Sequence, residues 1–560
     1  MIQQQPTRWC VHARRHPKLL DHLCDLRGIA DSDLSPDYAR HLHDPMLLPD
    51  MDKACDLIEQ AVAGKWHVTI FGDYDADGTP ASAILSLMLD QIGLEHEVVL
   101  PTRLTGYGLR IEQVKEIATR SKLLITVDTG VTSVAEITLA KELGLKVIIL
   151  DHHLPLDELP PADAIVDPHR IDSQYPFPHL CGCALAYKFV VALGNIFPAL
   201  AERFSKWLLD LVAVSTVADM MPLTGENRAL VHYGLLVLRQ NRRPGMQALL
   251  AAASVDVKVL TAGTLGFTVG PRLNAAGRLG DNMPAYELLT ATTNDEAERL
   301  AAIVEGANSE RQALVQEVME QAQRKVLRQN KVTDKIFVLG AEGWPSGVVG
   351  LVAGKIATQF SRPVLVATFE GELAKGSARS TASYPIVEAL SRQHALLNTY
   401  GGHASAAGFS LPKEKWSDFV SALKEDADKV LTAEDLRRTF HVDAELESND
   451  LDKRSVDSLE KLQPFGQGNH RPLFLLRDVE LRDARRIGRE GRHLKARLVT
   501  AGQELDCIAF SCDEQLHQST VPIDCIGHLE VNRWNDRESV QFQLVDFRLS
   551  GEPVEWVPNG

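Results

Sequence analysis

No stretch of this sequence approaches the ~18 uninterrupted apolar residues of a membrane-spanning helix. The N-terminal stretch MIQQQPTRWCVHARRHPKLL carries charges where a secretory signal would need an apolar run. No membrane association is expected, and the default location is the cytoplasm. Cysteine is scarce and scattered, at Cys10, Cys24, Cys55, Cys181, Cys183, Cys507, Cys512 and Cys525. None forms a CxxC pair, and Cys181-Gly-Cys183 is too tight for a normal zinc half-site. Reduced, mostly buried small side chains are expected. A basic excess is missing too: 59 Lys+Arg face 75 Asp+Glu, a net charge of −16. That argues against a protein that simply coats nucleic acid. It leaves room for a nucleic-acid enzyme with a local basic track on an acidic body. Internal repeats and low-complexity linkers are also absent.

What is present is a chain of 560 residues, 45% hydrophobic and 24% charged. This ordinary composition excludes disorder as the main state. At ~150 residues per domain the length corresponds to about three or four domains. Between Trp66 and Pro168, short β-branched runs alternate with helical patterns. His67–Phe71, Glu97–Leu100, Leu123–Val127, Lys146–Leu150 and Ala164–Val166 read as strands. Ala81–Ile92, Arg110–Ala118 and Val134–Leu143 read as helices. The alternation predicts a parallel, doubly wound sheet, whose ligands bind outside the carboxyl ends of the strands.

Residues 293–330 form one long helical pattern, with Thr293 and Glu296 spaced as a capping box. Gly306 is its weak point, and two helices broken there are the alternative. A second α/β segment follows, with strands at Ile336–Leu339 and Pro363–Ala367 and a helix at Val348–Gln359. Beyond Phe440 the runs Leu473–Leu476, Ala496–Val499, Asp506–Phe510, Val521–His528 and Val540–Val545 predict a small all-β barrel or sandwich.

The run Phe71-Gly-Asp73-Tyr-Asp75-Ala-Asp77-Gly78 directly follows a predicted strand. Three carboxylates so close repel one another, and a divalent metal is the usual remedy. Neither eleven residues after Asp73 nor twelve, where Leu85 stands, is there the Glu that an EF-hand loop would need, so that loop is rejected. The next strand ends in Asp128-Thr-Gly130 and the one after in Asp151-His152-His153. Taken singly, Asp128 could merely cap a helix or make a turn. Together these strand ends converge on one sheet edge. Asp219, in an apolar setting, is a fourth candidate that a metal would compensate.

These four motifs, in order, resemble those of the DHH phosphoesterases, and their details are close to the RecJ-type single-stranded-DNA-specific exonucleases. Pro-Arg272-Leu-Asn274-Ala-Ala-Gly-Arg278, Gly-Ser377-Ala-Arg379-Ser and Gly401-Gly-His403 resemble further motifs of that family, as do the Pro464–Asn469 turn and the β-rich tail. Two departures stand out. Thr79-Pro80 follows the first motif, where Ile-Thr-Ser or similar is common, and Pro80 suits a helix start. Pro345 stands where the family usually has histidine, which puts in doubt any contact made by that histidine.

The resemblance implies an α/β fold: a DHH-type parallel-sheet domain (51–292) joined by a long helix (293–330) to a second α/β domain (331–433). An OB-fold-like β domain (434–560) follows, and residues 1–50 form an N-terminal extension. It implies two divalent cations, Mn²⁺ or Mg²⁺, held by Asp75, Asp77, Asp128, His152 and Asp219. Asp73 is a ligand or lies just behind one, and His153 contacts the scissile phosphate or orients the nucleophile. Arg103, Arg272, Asn274, Arg278, Ser377, Arg379 and His403 are expected to handle substrate, with Ser377, Arg379 and His403 in glycine-rich loops.

The segment Arg482–Arg497 has seven Lys/Arg against two acids, a net +5. It includes Arg492 and Lys495 and reads as a single-strand track, with Phe510 and Trp534 as stacking platforms or core residues. The implied function is 5′→3′ hydrolysis of single-stranded DNA to 5′ mononucleotides in repair and recombination. The implied enzyme is a monomer that works with a helicase and a single-strand-binding protein. The alternatives are an oligoribonuclease or small phosphoesterase of the same superfamily, and a non-catalytic DNA-binding scaffold.

Overall fold

The computed structural model describes residues 7–102, 108–329, 333–488, 491–500, 502–510, 516, 521–534 and 537–557. It divides into two compact units. One comprises residues 36–314 with 464–470, the other 1–35, 315–463 and 471–560.

The first unit is built on a five-stranded sheet in the order His96–Val99, Val68–Gly72, Leu123–Val127, Lys146–Leu150, Ala164–Val166. All four pairings are parallel. The central strands are runs of Val, Ile and Leu buried on both faces, as a parallel sheet covered by helices requires. Helices Gly78–Gln91, Ile111–Ala118 and Val134–Glu142 make the crossovers. Pro80 falls in the first turn of its helix, where a missing N–H costs little. Three expected strands have their expected bounds, and the other two shift by one residue.

Further helices cover the sheet. Gly182–Leu193 is almost wholly buried, as is Leu209–Ala218, which is apolar on all sides. Helix Gly270–Leu279 follows a π-helical turn at Leu265–Val269.

Helix Asn294–Gln329 is a single element of 36 residues, about 55 Å long at 1.5 Å per residue. Thr293 Oγ1 accepts from Glu296 N at 3.4 Å. Gly306 is exposed and does not break the helix, because nothing packs where its side chain would be.

In the second unit a five-stranded mixed sheet runs Thr399–Gly402, Ala406–Pro412, Leu373–Arg379, Val364–Glu370, Phe337–Glu342. Helix Ser346–Phe360 connects the one parallel pair. The tail forms a closed barrel. Phe474–Ile487, His493–Thr500, Gln503–Ala509, Arg537–Leu549 and Ile523–Trp534 pair in turn, and Ile523–Trp534 returns to Phe474–Ile487. Five strands closed on themselves are the OB-fold-like architecture expected for the tail.

The N-terminal strand Arg8–His12 pairs in parallel with Thr439–Val442 and Glu555–Val557. Its Trp9 is buried, donates from Nε1 to Asp546 Oδ2 at 2.9 Å, and carries Arg548 3.9 Å over its ring. The seven described cysteines are buried, and none forms a disulfide among the described residues. Among the described residues no helix is long and apolar enough to cross a membrane.

Candidate active site

The sheet register brings the acids together. Gly72 pairs with Val127, Val127 with Leu150, and Leu150 with Val166. The next residue on each strand is Asp73, Asp128, Asp151 and Asp167, so four carboxylates emerge side by side at the carboxyl edge. Asp128 takes φ +59°, a left-handed conformation unusual outside glycine. The backbone closes tightly around it. A Cβ on Gly182 would lie 2.6 Å from Asp128 Cβ, and one on Gly78 would lie 2.5 Å from Asp73 O.

Three groups of potential ligands have their atoms within 4.8 Å of one another: Asp73, Asp75 and Asp128; Asp77, His152 and Asp219; and Asp128, His152 and His153. His152 Nε2 lies 3.1 Å from Asp128 Oδ1, 3.8 Å from Asp77 Oδ2 and 3.8 Å from Asp219 Oδ2. Asp219 is the residue that ends helix Leu209–Ala218. The Asp77 carboxylate accepts from Gly182 N at 2.6 Å and Cys183 N at 2.9 Å, the first N–H groups of helix Gly182–Leu193. Asp75 Oδ1 accepts from Asp77 N at 2.8 Å and Gly78 N at 3.0 Å. The motif thus folds on itself as a loop.

The electrostatics call for cations. Burial, then the charge of Asp75, pushes Asp73 up to about 8. Burial, then Asp77 and Asp75, pushes Asp219 up to about 9. Burial also raises Asp77 and Asp128. Asp73 Oδ1 and Asp219 Oδ2 are buried with no hydrogen-bond partner among the described residues. Burial lowers His152, which keeps it neutral and able to ligate. Buried oxygen ligands in excess, joined by an imidazole, fit Mn²⁺ or Mg²⁺.

Asp151 plays a different part. Its Oδ1 accepts from His153 Nδ1 at 2.7 Å, and its Oδ2 accepts from Val131 N at 2.9 Å. Burial alone would raise it, but His153 holds it below the usual carboxylate range. Burial would lower His153, yet Asp151 pushes it up to about 9. Asp151 therefore orients His153 and belongs to none of the ligand groups. The residue-level expectations omitted it, although its place in the Asp-His-His motif was a usable signal. Asp167 was missed as well. It is buried, accepts from His169 N at 2.7 Å, and stands outside the three groups.

Of the remaining expected residues of this unit, Asn274 touches the carboxylate loop and Arg272 is tied elsewhere. Arg103 lies outside the described residues. Arg272 is held by Glu305, with Nε–Oε2 at 2.6 Å, and donates from Nη1 to Thr268 O at 2.9 Å. Asn274 Oδ1 accepts from Ala76 N at 2.8 Å. Arg278 is half-buried in the last turn of its helix.

Residues 67–216 match the DHH family N-terminal domain, 333–429 the DHHA1 domain and 442–546 the RecJ OB domain. The single-stranded-DNA-specific exonuclease RecJ of Haemophilus influenzae is 34% identical over 566 residues, covering 96% of this chain and 97% of that protein. The chain belongs to the RecJ family of single-stranded-DNA-specific exonucleases. The Bacillus subtilis RecJ exonuclease is 37% identical over 92% of this chain, but this chain spans only 65% of that protein's length. RecJ from Thermus thermophilus, crystallised in complex with Mn²⁺, superposes with a TM-score of 0.84 at 31% identity, covering 98% of this chain and 80% of that chain. The Mg²⁺ complex from the same organism gives a TM-score of 0.78 at 29% identity, over 98% of this chain and 79% of that chain.

Two other regions of this RecJ-family chain hold the remaining expected residues. Ser377 and Arg379 lie on the strand Leu373–Arg379, not in a glycine-rich loop as expected. Pairing on both sides, with Val364–Glu370 and Ala406–Pro412, holds that segment extended. Both side chains face Gly350, whose added Cβ would lie 3.3 Å from Ser377 Oγ and 3.4 Å from Arg379 Nη2. Arg379 is half-buried, lowered by burial, and has no carboxylate partner among the described residues. His403 is exposed in the turn between strands Thr399–Gly402 and Ala406–Pro412. Pro345 immediately precedes helix Ser346–Phe360.

In the barrel, Arg482 faces Arg497 and Arg485 faces Lys495 across neighbouring strands, an adjacency of like charge that Glu480 and Glu504 offset at Arg482 and Arg497. Arg492 is exposed just before the second strand. Phe510 is exposed and meets His493 edge-on at 5.4 Å. The side chain of Trp534 lies outside the described residues.

Proposed function

We propose that this chain degrades single-stranded DNA from the 5′ end to 5′ mononucleotides with two divalent cations, Mn²⁺ or Mg²⁺. The observation that carries the reading is the convergence of Asp75, Asp77, Asp128, His152 and Asp219, with Asp73 beside them, at one sheet edge with buried carboxylate oxygens left unsatisfied. When bound, two such cations supply an activated water and stabilise the attacking and leaving oxygens. The carboxylates fix where the cations sit. His152 supplies a neutral nitrogen. His153, held by Asp151, offers a cationic hydrogen-bond donor to a phosphate oxygen. Ser377 and Arg379 receive the terminal 5′ phosphate, Arg379 being a guanidinium without a carboxylate partner. The barrel's basic hairpin and Phe510 track the following nucleotides.

The short oligoribonuclease reading is disfavoured by the barrel, and the scaffold reading by the intact acidic set. A cytoplasmic monomer acting in repair and recombination beside a helicase and a single-strand-binding protein completes the proposal. Digestion of 5′-labelled and 3′-labelled single strands with Mn²⁺ tests it. Early release of the 5′ label as a mononucleotide is expected, and attack only from the 3′ end would overturn it.

A further inference from the structure

Asp75 and Asp77 are separated by one residue, Ala76. Both polar groups of Ala76 are committed to side chains from elsewhere in the fold. Its N–H donates to Asn274 Oδ1 at 2.8 Å, and its carbonyl accepts from Ser215 Oγ at 3.0 Å. Ser215 stands four residues before Asp219, so the helix that presents Asp219 also grips the middle of the carboxylate loop. Asn274 lies on helix Gly270–Leu279, which presses against the same loop: a Cβ on Gly277 would come 2.8 Å from Tyr74 O. Asn282, fully buried, accepts from Gly277 N at 3.0 Å and donates to Thr79 Oγ1 at 2.7 Å. The loop is thus tied to one neighbouring segment at Tyr74, Ala76 and Thr79.

We propose that Asn274 and Ser215 are positioning residues that clamp the two peptide units of Ala76 and thereby set the spacing of the Asp75 and Asp77 carboxylates. The inference rests on the reading of Asp75 and Asp77 as metal ligands. It reassigns Asn274, expected to contact substrate, to the support of the metal loop. A peptide N–H can be satisfied only by an acceptor, so the amide oxygen of Asn274 must face Ala76. Without it, a buried N–H is left unpaired and the loop relaxes. Partners of this kind typically change metal affinity by about 10–100-fold.

The test uses the full chain and two measurements: Mn²⁺ binding by calorimetry, and binding of a 5′-phosphorylated single strand in EDTA by fluorescence anisotropy. Asn274→Ala and Ser215→Ala are expected to weaken Mn²⁺ binding by about tenfold or more, with DNA affinity in EDTA unchanged for Asn274→Ala. Asn274→Asp keeps the acceptor oxygen and is expected to hold Mn²⁺ nearly as well as the parent. It is isosteric and half-buried, so it remains a test if Ser215→Ala fails to fold. Asp75→Ala is the reference and is expected to lose Mn²⁺ binding. Unchanged Mn²⁺ affinity in Asn274→Ala, with Asp75→Ala defective, overturns the clamp and leaves the ligand reading intact. Lost DNA affinity in EDTA at unchanged Mn²⁺ affinity overturns it in favour of a substrate contact. Full Mn²⁺ binding by Asp75→Ala overturns the ligand reading itself, and the clamp with it.

Discussion

The carboxyl edge of the parallel sheet and the hairpin of the barrel both gather like charges, but under opposite conditions. At the sheet edge Asp73, Asp77 and Asp128 are 6%, 1% and 3% exposed. At the barrel Arg482, Arg485 and Arg497 are exposed, and Glu480 and Glu504 already pair with two of them, at 2.8 Å from Arg482 and 3.0 Å from Arg497 respectively. Buried repulsion is screened little by salt and calls for a counter-ion at one defined place. Exposed repulsion is soft and attracts any polyanion, to a degree set by ionic strength. One region therefore calls for a localised cation, the other for a diffuse polyanion.

Removing one region's function without touching the other's would sharpen this contrast. The largest expected effect is on turnover. Asp128→Ala should lower exonuclease kcat on the order of 10³-fold, since cation stabilisation is worth several kcal/mol. Single-strand binding in EDTA should survive. A variant that lost both would erase the distinction.

Asp151→Asn should reduce kcat by about 10–100-fold through misplacement of His153, with KM little changed. An equal loss in KM would make Asp151 a binding residue instead.

Stability should reveal the buried repulsion directly. In EDTA, Asp128→Asn should raise the melting temperature by about 2–4 °C, the shift that corresponds to ~1 kcal/mol, because one buried charge is gone. Asparagine also tolerates the left-handed backbone there. With Mn²⁺ the order should reverse. A destabilised variant in EDTA would show that the carboxylates do not strain the metal-free fold.

The smallest effect belongs to the barrel. Arg485→Ala with Lys495→Ala should leave kcat intact and flatten the plot of log affinity against log salt by about 0.7 for each phosphate no longer neutralised. A salt slope unchanged from the parent would remove these residues from the DNA track.

The strands that bear the site were readable because their composition left little choice. Leu123–Val127 and Val147–Leu150 are unbroken β-branched and leucine runs, as strands buried on both faces of a covered parallel sheet require. The apolar period also marked the 36-residue helix, but the sequence left a break at Gly306 open, and the structure shows one continuous element. Leu373–Arg379 was not readable. Leu-Ala-Lys-Gly-Ser-Ala-Arg contains no β-branched residue, and its extended form comes from two flanking strands distant in sequence. The strand Arg8–His12 was hidden for the same reason, since its partners begin at residues 439 and 555. Arg482–Ile487 was read as part of a basic track and not as a strand. Pairing with His493–Arg497 makes it the end of strand Phe474–Ile487, with Arg482, Arg485 and Arg486 exposed.

By itself the sequence determined which carboxylates were candidates for the chemistry, because several aspartates gathered after neighbouring buried strands need a counter-charge. The scarcity of basic charge in the total said nothing of its distribution, since seven Lys/Arg fall within Arg482–Arg497 alone. Tertiary structure alone decided the division of labour within the motifs. Asp77 rests on the N-terminus of a helix more than a hundred residues away in sequence. Asp151 turns inward to hold His153, and Arg272 is tied to Glu305. Each role depends on the direction and partner of a hydrogen bond, and those are set by packing between segments that no local pattern connects.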